Sequence, residues 1–349
     1  MTRFAWLQSR GQTFVATVGL AILLVVYFVT GNGLLHLYHT IITPCVANGG
    51  CSPTSINAFL QYDEGLQRWL DILVLVVPGI LGVFWGAPLF AREVETGTHR
   101  LAWTQSVTRV RWLSVKVAMS LAISMAVAGL ISLMVTRWAH PVDFMTKSAF
   151  ASFERRNIVP IGYAAFGFAL GVTAGVFIRR TLPAMATVAV AFTAARLAMA
   201  HWVRPRLIAP AHLVLALDPN STGFGRTSSG PATLQPRAPQ LPNAWVTSTQ
   251  IVDKAGHGLT SQFLASACPD IGKVIPGPVA PSVRTQVPDV VKTGLESCVA
   301  KVGETYHVVV AYQPASRYWA LQWYETAIFL GAALLLAGVC IWSVRRRRT

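Results

Sequence analysis

Residues 71–90 read DILVLVVPGILGVFWGAPLF, a run in which Asp71 is the only charged side chain. One helical crossing of a bilayer requires about 20 mostly apolar residues, so this stretch is long and apolar enough to span a membrane. Five further stretches pass the same test. The predicted spans are Thr13–Gly31, Asp71–Phe90, Leu113–Thr136, Val159–Ile178, Pro183–Val203 and Tyr324–Trp342.

The composition also indicates a membrane protein. Hydrophobic residues make up 53% of the 349 residues and charged residues only 12%, whereas a soluble domain is about one quarter charged. The formal net charge is +15, but the basic residues flank apolar runs and do not gather on one soluble surface with aromatic side chains. We therefore predict that the chain contacts a lipid bilayer and no nucleic acid.

Positive charge predicts the orientation, because short loops rich in Lys and Arg stay in the cytoplasm. With both termini inside, the inner segments hold thirteen Lys and Arg residues and the two short outer loops hold five. The long loop is left out of this count, since long loops cross a membrane whatever their charge. We predict that both termini are cytoplasmic.

The predicted organisation has four parts. Residues 1–12 form an amphipathic cytoplasmic lead-in, 13–203 hold the first five spans, 204–319 form an extracytoplasmic domain, and 320–349 hold the sixth span and a basic tail. The expected fold class is an all-α polytopic membrane protein. Its six transmembrane helices carry a large extracytoplasmic α+β loop domain between helices 5 and 6.

The second part of this loop domain has regular patterns. Residues 288–302 repeat apolar side chains at helical spacing after a proline, and Glu304–Tyr312 contains three consecutive valines, as a strand would. Residues 204–243 are rich in turn signals and show little periodicity. The sequence predicts a helix and a strand in the second part, which looks more ordered than the first.

The cysteines fit an oxidising exterior. Cys45 and Cys51 fall in the first outer loop, Cys268 and Cys298 fall in the large loop, and Cys340 lies in the last span. The two outer pairs are therefore candidate disulfides.

Small residues recur at helical spacing in two spans. Such faces let helix backbones approach closely in lipid, so we predict tight helix packing at both. The two sets are Gly79, Gly82 and Gly86 in the second span and Gly167, Gly171 and Gly175 in the fourth.

Sequence motifs for catalysis are missing. The chain contains no phosphate-binding loop of the G-x-x-x-x-G-K-[ST] type, no H-E-x-x-H and no G-x-S-x-G. His36 and His39 could share a metal, but two histidines without a third ligand are far more often interfacial side chains. We predict no catalytic residue, no metal site and no cofactor bound by this chain.

The connector at 91–112 reads AREVETGTHRLAWTQSVTRVRW and is longer than a turn between two spans requires. Gly97 can end the helix leaving the second span, and Thr98 can cap a new amphipathic helix. Such a helix suits docking in a groove of another protein or lying on lipid headgroups. The candidate contact residues are Arg92, Glu93, Glu95, Gly97, Thr98, His99, Arg100, Leu101, Trp103 and Arg109.

This connector resembles the first cytoplasmic loop of ABC-2-type permeases, the membrane subunits of many bacterial ABC exporters. That loop runs from acidic residues through Gly-Thr and Leu to a short turn, an Arg and a Lys that enters the next span. The matching residues are Glu93, Glu95, Gly97, Thr98, Leu101, Ser106 to Arg109 and Lys116. The large outer loop is a departure from minimal members of the family.

The resemblance implies a permease in a bacterial plasma membrane, with the connector seated in a separate ABC ATPase subunit. ATP and magnesium would then bind to that partner. Because one chain has six spans, the resemblance also implies a second permease chain, the same or related, and a transport pathway between the two.

Arg196 interrupts the fifth span about 12 Å from its outer end, at about 1.5 Å per residue. A charged residue at that depth is costly and usually lines a cavity or has a partner. Asp71 and Glu325 are possible partners, and Arg196 is a candidate for the translocation path. Alternatively, its long side chain reaches the outer headgroups.

Two other classes of function are consistent with these patterns. A membrane sensor would bind a ligand in the outer domain and would have no ATPase partner. A membrane-embedded enzyme would need converging polar residues in the spans, and apart from Arg196 and His201 these are scarce.

Overall fold

The computed structural model describes residues 2–48, 50–95, 109–218, 222–226, 232–239, 241–269 and 289–346. The chain forms two compact units. The helical bundle comprises Met1–Ile208 and Tyr318–Thr349, and the α/β unit comprises Ala209–Arg317.

Within the described residues, six helices are long and apolar enough to cross a membrane. Each overlaps one predicted span, so the prediction of a polytopic membrane protein is confirmed. They are span 1 (Thr17–Ala47), span 2 (Glu64–Arg92), span 3 (Ser114–Thr146), span 4 (Ala149–Ile178), span 5 (Thr181–Leu207) and span 6 (Ala315–Ser343).

The α-helices, in chain order, are α1 (Thr2–Leu37), α2 (Thr43–Ala47), α3 (Pro53–Tyr62), α4 (Glu64–Ile80), α5 (Pro88–Glu95), α6 (Arg109–Thr146), α7 (Val159–Ile178), α8 (Thr181–Ala198), α9 (Arg204–Leu207), α10 (Ser261–Ala267), α11 (Asp289–Gly303) and α12 (Tyr318–Arg346). Residues 2–12 belong to the same continuous helix as the first span. In the part of the chain that the structure describes, three π-helical segments occur within spans, at Tyr38–Ile42, Leu81–Gly86 and Met199–Val203, and a 3-10 helix occupies Ala149–Arg155.

Span 2 is divided by a π segment. Pro78 lies inside α4 and cannot donate a backbone hydrogen bond. The widened turn at Leu81–Gly86 follows directly, and α5 begins at Pro88. Such π segments often mark functional sites in helices.

Span 4 is the centre of the bundle. In the most apolar stretch of span 4, 67% of the residues are buried. In the corresponding stretches of the other five spans, 6% to 39% of the residues are buried. Span 1 has the lowest of these values, so fewer of its residues are covered by the rest of the bundle. The functional features of the bundle are therefore arranged around span 4.

The predicted glycine faces of spans 2 and 4 pack directly against each other. A Cβ atom added to Gly167 would lie 2.7 Å from the Pro78 carbonyl oxygen, and one added to Gly175 would lie 2.6 Å from the Ala87 carbonyl oxygen. Carbon atoms at these distances overlap with the backbone. The two helices thus touch through their main chains, as small residues allow in lipid.

The α/β unit contains a three-stranded antiparallel sheet in the order β1-β5-β4 and a separate hairpin. The strands are β1 (Ala211–Ala216), β2 (Thr222–Arg226), β3 (Ala232–Pro236), β4 (Trp245–Asp253) and β5 (Tyr306–Gln313). Helix α11 and strand β5 agree with the helix and strand predicted at 288–302 and 304–312. Strands β1, β2 and β3 lie before residue 243, in the part whose turn-rich sequence shows little periodicity.

Both predicted disulfides are present, Cys45–Cys51 in the bundle and Cys268–Cys298 in the α/β unit. The second links the end of α10 to α11 and lies in a buried apolar core with Val302 and Val310. A disulfide at this position restricts the unfolded chain and keeps the two helices together.

Candidate functional site

The middle of the predicted connector, Gly97, Thr98, His99, Arg100, Leu101 and Trp103, lies outside the described residues. The structure describes its two edges. Arg92 is exposed near the end of α5, Glu93 belongs to the same helix, and Arg109 begins α6. The prediction that this connector contacts a partner stays a prediction.

Glu95, the last residue of α5, is bonded to the start of span 5. The Thr181 amide donates to Glu95 Oε1 over 3.0 Å, and the Thr181 hydroxyl donates to Oε2 over 2.5 Å. The hydroxyl bond, then the amide bond, lowers the pKa of Glu95, and nearby Arg180 lowers it further. Because a carboxylate at a helix N-terminus satisfies otherwise unpaired N–H groups, Glu95 joins the end of α5 to the beginning of α8.

Arg196 is held inside the bundle. Its side chain is 10% exposed, Nη2 donates to Glu154 Oε2 and Nη1 donates to the Leu75 carbonyl, both over 2.7 Å. The guanidinium also lies 4.2 Å from the centre of the Tyr163 ring. Arg196 therefore links span 5 to spans 2 and 4 and does not reach outward to headgroups. Its carboxylate partner is Glu154, where the sequence had suggested Asp71 or Glu325.

Arg204 forms a second buried pair on span 5. It contacts Glu325 of span 6 over 2.7 Å and Glu154 over 2.8 Å. Glu325 is fully buried and also accepts a short hydrogen bond from the Tyr163 hydroxyl. Glu154 thus lies between the two guanidinium groups of span 5 and joins them.

Further ion pairs lie beside these. Arg156 contacts Asp71 over 2.5 Å and Asp143 over 2.9 Å, and Arg155 lies 3.4 Å from Asp71. Together these groups form what we call the charge cluster, and its four arginines balance its four acids. Its members are Asp71, Asp143, Glu154, Arg155, Arg156, Arg196, Arg204 and Glu325.

A cavity of about 560 Å³ lies between spans 2 and 5. This span 2/5 groove is mostly apolar, and Glu154 and Arg196 of the charge cluster are part of its wall. Its volume falls in the range of sites for small molecules, roughly 300–1,000 Å³. It is lined by Leu75, Val76, Gly79, Ile80, Val83, Phe84, Glu154, Ala189, Phe192, Thr193, Arg196, Leu197 and Ala200.

The sequence predicted a role for Arg196. It did not predict the ion pairs of Glu154, Asp143 and Arg204. A usable signal was present, because acidic and basic residues recur near the same ends of spans 2 to 6. Isolated charges at such depth are costly, so opposite charges at one end of a bundle indicate pairing. The sequence alone could not assign which carboxylate meets which guanidinium.

A comparison with known protein families places most of the helical bundle in one family. The family described as ABC-2 membrane transporter related matches residues 17–204, which are 188 of the 349 residues and include the first five spans without the last few residues of the fifth. No curated protein and no solved structure matched the chain. The chain therefore belongs to the ABC-2 membrane transporter related family and is the membrane-spanning permease of a transporter.

Proposed function

We propose that this permease is a subunit of a bacterial ABC exporter, coupled through residues 91–112 to a separate ATPase subunit. Two permease chains form the pathway, and ATP and magnesium bind to the ATPase. Both termini lie in the cytoplasm, and the α/β unit lies outside the cell. The excess of Lys and Arg in the inner segments and the two disulfides of the outer segments support this orientation.

The observation that carries the coupling is the bond between Glu95 and Thr181. Glu95 ends the helix that leads into the connector, and Thr181 begins span 5. A displacement of the connector by a partner would therefore be transmitted to span 5 as well as to span 2. These two spans supply all the lining residues of the groove except Glu154.

Spans 2 and 5 contact each other through different side chains at their two ends. Glu95 fastens spans 2 and 5 at one end, and Arg196 fastens them at the other through the Leu75 carbonyl and Glu154. The groove lies between these two attachments and gives the pair room to move. We propose that ATP-driven displacement of the connector changes the width of the groove, and that Arg196 lines the translocation path.

The test has two steps: a search beside this gene for one that encodes an ABC ATPase, and then co-purification of the permease with that protein, with and without nucleotide. Truncating Trp103 to Ala should weaken the association while the permease still inserts. Trp69→Ala is the matched control, because Trp69 is 71% exposed on span 2, far in sequence from the connector. Normal association of Trp103→Ala with the ATPase would contradict the proposed coupling.

Glu95 requires a second comparison, since it has a partner inside the chain. Glu95→Lys removes both the negative charge and the contact with Thr181, whereas Thr181→Ala removes only the hydroxyl bond and leaves the charge. Loss of ATPase binding in Glu95→Lys alone would indicate direct contact with the ATPase. Equal loss in both variants would indicate that Glu95 acts by positioning the connector.

The orientation is tested by labelling single cysteines with a membrane-impermeant maleimide in intact cells. Ser106→Cys in the connector should be protected, and Ser248→Cys in β4 should be labelled. Labelling of Ser106→Cys from outside would overturn the exporter proposal.

The family assignment favours transport over a membrane sensor, and a permease that never associates with an ATPase would favour the sensor.

A further inference from the structure

The span 2/5 groove combines an apolar wall with a small polar area. Val76, Ile80 and Phe84 of span 2 and Leu197 of span 5 are exposed large hydrophobic residues in its wall. Such side chains suit the hydrocarbon part of a ligand, and burial of apolar surface in the groove would favour binding. A soluble, fully polar molecule would have few partners here.

The polar area consists of Glu154, Thr193 and Arg196. Thr193 and Arg196 are three residues apart on one helix, so they lie on the same face. Each Glu154 oxygen already contacts one guanidinium nitrogen but can accept a further hydrogen bond. The exposed Thr193 hydroxyl can both donate and accept.

One nitrogen atom of the Arg196 guanidinium makes no hydrogen bond within the described part of the chain. Its Nε atom is buried and has no hydrogen-bond partner among the described residues, and a buried donor without a partner is costly. Nε is shielded from solvent, so a ligand would first meet Glu154 and Thr193. The site therefore holds donors and acceptors close together at one place in an apolar wall.

The charges of this region cancel. Four guanidinium groups and four carboxylates form the charge cluster, each with an opposite partner. An anionic ligand would meet Glu154, a cationic ligand would meet Arg196, and either would lose its hydration without a net opposite charge to compensate. A hydroxyl or amide group can donate to Glu154 and accept from Thr193 with no charge to bury.

We propose that the groove binds an uncharged amphiphile, a hydrocarbon body whose small head carries hydroxyl or amide groups. Binding itself concerns the permease alone, and the statement that this amphiphile is the cargo rests on the proposed function. A membrane lipid such as a monoacylglycerol and a free long-chain alcohol share this chemistry.

The test uses the full permease in phosphatidylcholine nanodiscs without any ATPase. The probe is a long-chain alcohol with a diazirine in its chain and a terminal alkyne, and cross-linked peptides are mapped by mass spectrometry. We expect labelling within 75–84 and 189–200. The unlabelled alcohol should compete, whereas the alkyl sulfate and the alkyl trimethylammonium of equal length should compete at least about tenfold less well.

Three variants test the location and the chemistry of the site. Ala189→Trp fills the groove and should abolish labelling, while Val190→Trp, at a neighbouring position that is 71% exposed and does not line the groove, should keep it. Thr193→Val removes one hydroxyl at nearly constant volume and should weaken alcohol competition about fivefold. Competition by a monoacylglycerol placed in the bilayer, or by a short soluble alcohol, identifies the source of the ligand.

Three outcomes would overturn the proposal: labelling spread evenly over all spans, wild-type labelling of Ala189→Trp, or equal competition by the alcohol and both charged analogues. If the proposed ATPase coupling is wrong but the groove proposal is right, the results differ from these. The Trp103→Ala variant then binds the ATPase normally, and labelling of the groove is unchanged.

Discussion

Span 2 meets its two neighbours in opposite ways. Against span 4 its glycines bring the two main chains into contact, with no space for a single Cβ atom at Gly82, Gly86 or Gly171. Against span 5 it leaves a cavity of about 560 Å³ and is joined by side chains at the ends. A close-packed interior resists deformation, so the span 2/4 contact should resist displacement more than the span 2/5 contact.

The largest effect should come from filling the span 2/4 contact. Gly171→Val places methyl groups against the Gly86 and Ala87 backbone and should destabilise the bundle by about 3 kcal/mol or more, at the upper end for overpacking. Thermal unfolding in detergent, followed by size-exclusion chromatography, measures this. Gly331→Val is the control, because nothing lies within 4 Å of a Cβ atom there. Equal stability of the two variants would contradict the backbone contact.

A smaller loss is expected on the span 5 side. Arg196→Met removes the bonds to the Leu75 carbonyl and Glu154, but Arg204 still holds Glu154. The cost should be about 1–3 kcal/mol, the range for a polar group that loses its partner. A double-mutant cycle with Glu154→Gln measures the coupling between the two residues, and the absence of coupling would mean that they act independently.

The smallest effect should come from Glu95, which is exposed. Its pKa is lowered in the folded chain, so its stabilisation is fully present above the ordinary carboxyl pKa and is lost as the pH falls through the lowered value. Glu95→Gln should lower the Tm at neutral pH by less than about 2 °C. The difference from wild type should disappear in acid, and a difference that grows in acid would contradict the assigned direction.

Hydropathy was sufficient to predict the bundle, because lipid requires long apolar helices whatever their neighbours are. The glycine spacing also predicted that both faces pack tightly. The contact of these two faces with each other depends on how the helices are arranged, which a periodic pattern does not contain.

The charge cluster was less predictable. Glu154 lies in the short 3-10 helix at the start of span 4, and its bonds reach Arg196 and Arg204, which are more than forty residues away. Strand β1 was also not predicted, for a similar reason. Strand β1 pairs with β5, about a hundred residues later in the chain, so its local pattern is weak and its stability comes from the partner strand.

The charge cluster also sets an order for assembly at the ribosome. Arg204 leaves the ribosome with span 5, and Glu325 follows 121 residues later, which takes roughly 6–24 s at typical rates of synthesis. During that interval Glu154 is the acid that holds both Arg196 and Arg204. The last helix to be made therefore delivers the carboxylate that brings the cluster to neutrality, and a chain truncated before it keeps one excess positive charge inside the bilayer.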